Sequence, residues 1–226
     1  MHDPNSSQAG VGHMQPRMNA LVSPSVSAKI LDRTERIAVL ALYVYFVVNI
    51  GVDIAINRSA PSLVLLISET VVLIFMLLRR PSMDITSRPL DWLLGFAGTT
   101  LPLIVRPSGA PLLPQPVILL VMLAGFALQI AAKFFLRRSF GLVAANRGIK
   151  VDGPYRLIRH PMYAGYMLTE LGFLLGNPSL FNLAVYAATW CIQIGRILAE
   201  ERLLAQDEAF RDLVVRVPYR LIPPLF

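Results

Sequence analysis

The sequence predicts an all-α, polytopic membrane protein with five or six spans. Of its 226 residues, 55% are hydrophobic and only 15% are charged, whereas water-soluble domains average about 25% charged. The mean hydropathy is +0.57, and the apolar residues come in long runs. Such runs are typical of helices that cross a bilayer. The length of the chain suits a single membrane domain.

Six apolar stretches mark the candidate spans, and charged residues, proline or glycine separate them. They cover residues 37–56, 62–78, 92–105, 116–136, 161–175 and 180–197. The third falls short of the ~20 residues that a crossing needs, so it is tilted, extended by its flanks, or re-entrant. Gly176, Asn177 and Pro178 lie between the last two stretches, and this turn predicts an antiparallel helical hairpin.

Three parts follow one another along the chain. Residues 1–28 are rich in small and polar side chains and lack the apolar core of a signal peptide, which predicts a disordered cytoplasmic tail. Residues 29–136 hold the N-terminal transmembrane helices. Residues 137–226 hold the hairpin, two polar clusters and a C-terminal cytosolic segment.

The basic residues predict the orientation. If the N-terminus is cytoplasmic, all of the 21 Lys and Arg except Arg58 and Arg106 fall on the cytoplasmic side, as the positive-inside rule requires. Both termini and both polar clusters then face the cytoplasm, and in a bacterium the protein would lie in the inner membrane. The net charge of +7 suits anionic lipid better than nucleic acid. The single cysteine, Cys191, excludes a disulfide or a cysteine metal site within one chain, and we expect no metal.

The first polar cluster, residues 153–165, comes directly before the fifth span. It contains His160, the only histidine of the apolar body. Pro161 favours the first turn of a helix, and the free N–H groups of such a turn attract an anion. Arg159 adds positive charge beside them. The cluster therefore predicts a site for a carboxylate or phosphate, or else a basic loop that touches lipid head groups.

The second polar cluster, Arg196, Glu200 and Glu201, closes the sixth span. Arg196 can pair with Glu200 one helical turn later, in which case the cluster is a solvated helix end. Alternatively, the acids hold ribose hydroxyls, an ammonium group or a cationic cofactor. The hairpin should bring Glu200 to the membrane level of His160. One pocket would then combine an anion-binding end with an acidic end, as an amino acid or nucleoside ligand requires.

Two acids, Asp53 and Glu69, interrupt the early spans. An acid at membrane depth costs a few kcal/mol, so it is a functional candidate by default. We expect Glu69 to lie on the substrate side, whereas Asp53 is near a span end and can reach the interface. The alternative for both is a structural hydrogen bond between helices.

Together the two clusters resemble the motifs of the isoprenylcysteine carboxyl methyltransferase and phospholipid methyltransferase family of membrane enzymes. The resemblance extends from Phe140 to the C-terminus, and the joint pattern is more specific than either half. The matching residues are Gly153-x-Tyr155, Arg159-His160-Pro161-x-Tyr163-x-Gly165, Glu200-Glu201-x-x-Leu204 and Arg220-Leu-Ile-Pro223.

The resemblance implies S-adenosyl-L-methionine as methyl donor, bound at the cytosolic side. It assigns Arg196 to the substrate and, with His160, to catalysis. A strand-like segment over residues 147–150, which leads to the first polar cluster, would line the cofactor site. The residues that it assigns to cofactor binding are Ile149, Lys150, Tyr155, Arg159, His160, Pro161, Met162, Tyr163, Glu200 and Glu201.

The implied reaction transfers a methyl group to a lipophilic acceptor, above all an isoprenylcysteine-like carboxylate, which enters sideways from the bilayer. A carboxylate needs no general base, whereas an amine acceptor must first lose a proton. Three alternatives remain open. They are an ethanolamine phospholipid N-methyltransferase, an NADPH-dependent sterol-type reductase with a similar Arg-His-Pro segment, and a non-enzymatic carrier or assembly factor.

Overall fold

The computed structural model describes residues 26–78, 88–136, 151–224 and 226, with side chains from residue 37 onward. No strand occurs in these ranges, which confirms the predicted all-α class. Two 3-10 turns, Leu101–Ile104 and Gly153–Arg156, accompany the helices. The helices are α1 (Val26–Asn57), α2 (Ala60–Leu77), α3 (Pro89–Thr100), α4 (Gln115–Leu136), α5 (Pro161–Gly176), α6 (Leu180–Leu204) and α7 (Glu208–Arg216).

Within the described ranges, three helical segments are long and apolar enough to cross a membrane. They are Ile37–Asn57 of α1 and the whole of α2 and α4. The outer face of α1 exposes large aliphatic side chains, among them Val44 and Val48, as suits a surface in contact with lipid. The predicted total of five or six spans and the cytoplasmic orientation remain predictions.

Two helix boundaries differ from those expected. Helix α1 begins at Val26, so helical structure starts inside the predicted tail, while residues 1–25 lie outside the described part of the chain. Helix α6 continues past Ile197 to Leu204. Glu200 and Glu201 therefore lie within the last turns of the helix, one and two residues beyond a buried Ala199, which agrees with their expected place at the end of the sixth span.

The short third span is an α-helix that tightens into a 3-10 turn. Helix α3 ends at Thr100, and the 3-10 turn contains Pro102. Proline has no N–H to donate to the carbonyl four residues earlier, which here belongs to Gly98. The Gln193 side chain of α6 instead donates its Nε2 to that carbonyl at 3.0 Å. The proline thus ends the helix and leaves a backbone carbonyl without its helical partner, and a side chain of α6 donates a hydrogen bond to that carbonyl.

Helices α4 and α5 approach each other closely through small residues. A Cβ atom on Gly165 would lie 2.6 Å from the backbone nitrogen of Gln129 and 2.7 Å from the carbonyl oxygen of Gly125. Small residues allow such close backbone contact between membrane helices. A short turn joins α5 to α6 as predicted, but α5 packs chiefly against α4, and α6 packs chiefly against α3.

Polar contacts tie α6 to the α3 region at both ends. At the start of α6, Asn182 accepts from the backbone N–H of Arg106 at 3.0 Å and donates to its carbonyl at 2.7 Å. Near the other end, the Arg202 guanidinium contacts both carboxylate oxygens of Asp91 at 3.0 and 2.9 Å. These contacts fix the register of α6, and with it the position of the polar residues that α6 carries.

Candidate active site

The start of α5 and the end of α6 meet in the structure. The Nε2 atom of His160 lies 3.1 Å from Glu201 Oε1, and the Tyr163 hydroxyl donates to Glu200 Oε2 at 3.2 Å. These contacts bring His160 and Glu200 to the same level of the bundle, as the sequence predicts. The two polar clusters therefore form one assembly, which we call the α5–α6 junction.

Glu201 lies at the centre of the junction. Its Oε1 accepts from Arg159 Nε at 2.8 Å, and its Oε2 accepts from Arg220 Nε at 2.8 Å. Burial alone would raise the pKa of Glu201, but the hydrogen bonds from His160, Arg159 and Arg220 lower it to about 2. Glu201 is therefore a carboxylate at neutral pH, surrounded by basic groups.

Arg159 also holds the segment that follows α7. Its Nη1 donates to the carbonyl oxygens of Val217 and Pro218, both at 2.7 Å. The backbone N–H groups of Arg159 and His160 donate to carbonyls of the same segment at 2.9 Å. The C-terminal segment is thus docked on the start of α5. A direct contact between Arg159 and a cofactor stays a prediction.

The aromatic ring of Tyr155 packs beside the junction. It lies in the 3-10 turn before α5 and is buried in one apolar cluster with Met162 and Tyr163. The turn requires glycine at Gly153, because φ is +60° and a Cβ atom there would lie 2.4 Å from the Phe135 ring. Burial is the main cause that raises the pKa of Tyr155, so its hydroxyl stays protonated.

Arg196 points into the bundle from α6. Its Nη1 donates to Gln193 Oε1 at 3.0 Å, and its guanidinium carbon lies 5.4 Å from the centre of the Tyr163 ring. A Cβ atom on Gly98 would lie 3.0 Å from Arg196 Cδ, so the glycine makes room for this side chain. Arg196 therefore connects the junction to the interior of the bundle.

A cavity of about 20 Å³ lies on the interior side of Arg196, between α2, α3, α5 and α6. Glu69, which the sequence marks as a candidate, lines it, and so does Glu170 from α5. Glu170 is an acid inside an apolar run, the signal that singled out Glu69, and sequence reasoning missed it. Its Oε2 accepts from Trp190 Nε1 at 2.6 Å.

A buried lysine, Lys133, lies beside this cavity. Its Nζ donates to Gln129 Oε1 at 2.7 Å and lies 4.7 Å from the centre of the Tyr166 ring. Lys133 also interacts electrostatically with Glu69. The positive-inside count places this lysine with the cytoplasmic loops, whereas the structure buries it completely in the last turn of α4.

Asp53 joins the first two helices. Its Oδ1 accepts from Asn57 Nδ2 at 2.7 Å, and its Oδ2 accepts from the Ser62 hydroxyl at 2.5 Å. Ser62 belongs to α2 and Asp53 to α1. These contacts favour the structural alternative for Asp53, a hydrogen bond between helices.

Two of the predicted cofactor residues, Ile149 and Lys150, lie outside the described residues, as does the rest of the strand-like segment over residues 147–150. The other predicted site residues are described. Pro161 and Met162 are buried in the first turn of α5, next to His160. Over the parts of the chain that the structure describes, no group of three His, Cys, Asp or Glu side chains could hold a metal ion.

The apolar exterior, the membrane-length helices and the buried polar junction define an integral membrane protein. Residues 112–206, which span α4 to α6, match the model of the Isoprenylcysteine carboxyl methyltransferase (ICMT) family. The match confirms the family resemblance and implies a methyltransferase. The matched region begins before Phe140, where the resemblance was expected to begin, because it includes α4. It ends before Arg220, which belongs to the C-terminal part of the expected resemblance. Among curated proteins, none matches the chain.

Proposed function

We propose that this protein is an S-adenosyl-L-methionine-dependent methyltransferase of the membrane whose acceptor is a lipophilic, isoprenylcysteine-like carboxylate. One observation carries the proposal. Within the family-matched region, the start of α5, the acidic end of α6 and the inward-pointing Arg196 share one junction. The cytoplasmic location of this junction is part of the proposal and rests on the positive-inside rule.

The junction offers groups that suit each polar part of the cofactor. The first N–H groups of α5, on Met162 and Tyr163, can hold a carboxylate at a helix N-terminus. Among the described residues Glu200 accepts a hydrogen bond from Tyr163 only, so its second oxygen can accept from ribose hydroxyls or an ammonium group. The rings of Tyr155 and Tyr163 can lie against a positive sulfur. Residues Ile149, Lys150 and Pro161 complete the proposed contacts.

When bound, S-adenosyl-L-methionine supplies a sulfonium methyl group, which passes to an acceptor lone pair while the sulfur keeps the bonding electrons. The protein has to align the acceptor and exclude water. Arg196 suits the first task, because a planar guanidinium holds a carboxylate through two hydrogen bonds. Glu69 lines the cavity on the interior side of Arg196, and it is the second proposed substrate contact.

His160, Arg159 and Glu201 have a supporting role in this proposal. Their mutual contacts fix the start of α5 and thereby the N–H groups that face the cofactor. A carboxylate acceptor enters the reaction already ionised, so methyl transfer requires no proton acceptor. A direct catalytic contact of His160 stays a prediction that a substitution of this histidine can test.

The proposal is tested by incubating purified protein in lipid nanodiscs with methyl-labelled S-adenosyl-L-methionine and a fractionated lipid extract. We expect label in a methyl ester, and we expect Glu200→Gln to reduce it strongly. Exposed Glu208 supplies the matched control, Glu208→Gln. Label in a phospholipid amine would favour the ethanolamine alternative. Folded protein that binds neither S-adenosyl-L-methionine nor S-adenosylhomocysteine would exclude methyl transfer, and oxidation of NADPH would then identify the reductase.

A further inference from the structure

A groove of about 430 Å³ lies between the end of α6 and helix α7, and we call it the α6–α7 groove. One wall is the face of α6 that carries Leu198 and Arg202, and the other is the face of α7 that carries Arg211 and Val214. Among the described residues, the groove and the small cavity inside the bundle share no lining residue. The groove is therefore a separate site.

The α6–α7 groove has an excess of positive charge. Arg202, Arg211 and Arg220 line it, and Glu201 is the one carboxylate among the described residues that does so. The two oxygens of Glu201 already accept from Arg159 and Arg220 at 2.8 Å, so this carboxylate does not neutralise the remaining arginines. Because a concentration of one sign of charge attracts the other sign, the groove favours an anionic guest.

The three arginines keep N–H groups for such a guest, since each guanidinium has five of them. In the described part of the chain, the Arg211 side chain donates once, from Nη1 to the Ala205 carbonyl at 3.3 Å. The Arg202 side chain donates through Nη2 alone, to Asp91, and that of Arg220 through Nε alone. A phosphate group accepts several N–H groups from arginine at once and therefore suits this set of donors.

The apolar part of the groove lies deeper than its basic part. Leu198 precedes Arg202 by one helical turn, about 6 Å along α6, and it is 47% exposed. The sequence predicts that the sixth span ends at Ile197, which would place Leu198 at the edge of the bilayer. Val214 of α7 adds to the same apolar lining. A guest with an apolar chain towards the bilayer and a phosphate towards the cytoplasm fits both parts.

We propose that the α6–α7 groove binds an anionic glycerophospholipid, with the phosphate among the three arginines and an acyl chain along Leu198 and Val214. This lipid is a bound ligand and not the methyl acceptor, because Arg196 lines the interior cavity and not the groove. The inference goes beyond the proposed function. It rests on the predicted sixth span and not on methyl transfer.

A lipid in the groove also braces the α5–α6 junction. Arg202 belongs to α6 and Arg211 to α7, whereas Arg220 follows α7 and donates to Glu201. A phosphate shared by these arginines joins α7 and the C-terminal segment to α6. A ligand that binds only the folded protein raises its stability. Occupancy of the groove should therefore raise the unfolding temperature.

Two lipids that differ in net charge test the proposal. The dissociation constants of phosphatidylglycerol and phosphatidylcholine are measured by native mass spectrometry of the full chain in a neutral detergent, and thermal unfolding is recorded in parallel. Both lipids have a phosphate, but phosphatidylcholine also carries a positive charge. We expect phosphatidylglycerol to bind at least about fivefold more tightly and to raise the unfolding temperature. Inorganic phosphate at the same concentration, which has no acyl chain, should leave that temperature unchanged.

A pair of variants on α7 locates the binding site. Arg211→Gln should weaken the binding of phosphatidylglycerol about fivefold, as expected for the loss of one basic residue beside anionic lipid. Arg216→Gln removes the same charge from the same helix at an exposed position that does not line the groove, so it should have no effect. Both variants should bind S-adenosylhomocysteine as the unaltered protein does, which also shows that they are folded.

An equal loss in the two variants would overturn the inference, because binding would then follow net charge alone. Equal affinity for the two lipids would also overturn it, and so would stabilisation by inorganic phosphate as large as that by phosphatidylglycerol. Displacement of the lipid by S-adenosylhomocysteine would make the groove part of the cofactor site and exclude a separate lipid site. Failure of the unaltered protein to bind S-adenosylhomocysteine would instead contradict the proposed methyl transfer and leave the lipid site standing.

Discussion

The guanidinium of Arg159 donates to the carboxylate of Glu201 at 2.8 Å, with both side chains almost fully buried. This ion pair joins the residue before the N-cap of α5 to the last turn of α6, across 42 positions of sequence. Arg220 donates to the other oxygen of Glu201, so the C-terminal segment joins the same network. The neighbouring acid, Glu200, is only half-buried and takes part in a different contact, with Tyr163.

Substitutions of the two adjacent glutamates should therefore have different effects, one on cofactor binding and the other on stability. Glu200→Gln should weaken binding of S-adenosylhomocysteine by about 1.5–3 kcal/mol, the value of a hydrogen bond to a charged group, and leave stability nearly unchanged. Glu201→Gln should instead destabilise the fold by about 3–5 kcal/mol, because it leaves buried cations without their partner. Calorimetry and thermal unfolding in nanodiscs separate the two effects. Equal effects of both variants on both measurements would contradict this division.

Arg196 should act on the acceptor more than on the cofactor. Arg196→Lys keeps the charge but loses the planar fork that binds a carboxylate through two hydrogen bonds. Turnover with saturating cofactor should fall, while the affinity for S-adenosylhomocysteine changes little. The matched control is Arg216→Lys, at an exposed position on α7. A loss of cofactor affinity as large as the loss of turnover would make Arg196 a structural partner instead.

The close contact between α4 and α5 should not tolerate a methyl group. Gly165→Ala places a Cβ atom 2.6 Å from a backbone nitrogen of α4, so the helices must separate, at a cost of about 1–3 kcal/mol. Gly51→Ala in α1 is the matched control, because among the described residues no atom beyond its chain neighbours and the local helix backbone lies within 4 Å of its added Cβ. Replacing a helical glycine by alanine there should be neutral or stabilising by about 0.5–1 kcal/mol. Thermal unfolding of both variants checks the contrast.

Acid should weaken the junction through Glu201. Its pKa is lowered from 4.5 to about 2, so the stabilisation is complete above pH 4.5 and is lost as the pH falls towards 2. Unfolding in nanodiscs should therefore become easier over this range. Glu201→Gln, which has no titrating group there, should show a shallower loss. An unchanged acid profile in that variant would mean that another group is responsible.

Much of the site follows from local patterns in the sequence. Pro161 and the apolar run after it mark the start of α5, and the short turn after Gly176 makes α6 return to the same end of the bundle. Those two features predict that His160 and Glu200 lie near the same end of the bundle, because the free ends of an antiparallel helix pair face the same side. The roles within the junction do not follow from them. Glu201 and Glu200 are adjacent in sequence and differ in partner only because α6 turns one of them towards Arg159.

The sequence by itself determined the all-α class, the apolar helices and the resemblance to one family of membrane methyltransferases, since hydrophobic runs, helix-breaking residues and a spaced motif are local properties of the chain. Tertiary structure alone decided that Glu170 and Lys133 face the interior, that α5 packs on α4, and that the C-terminal segment docks on Arg159. The physical reason is that a membrane helix is apolar on nearly every face. Its periodicity then does not show which side meets protein, and the choice depends on contacts between residues far apart in sequence.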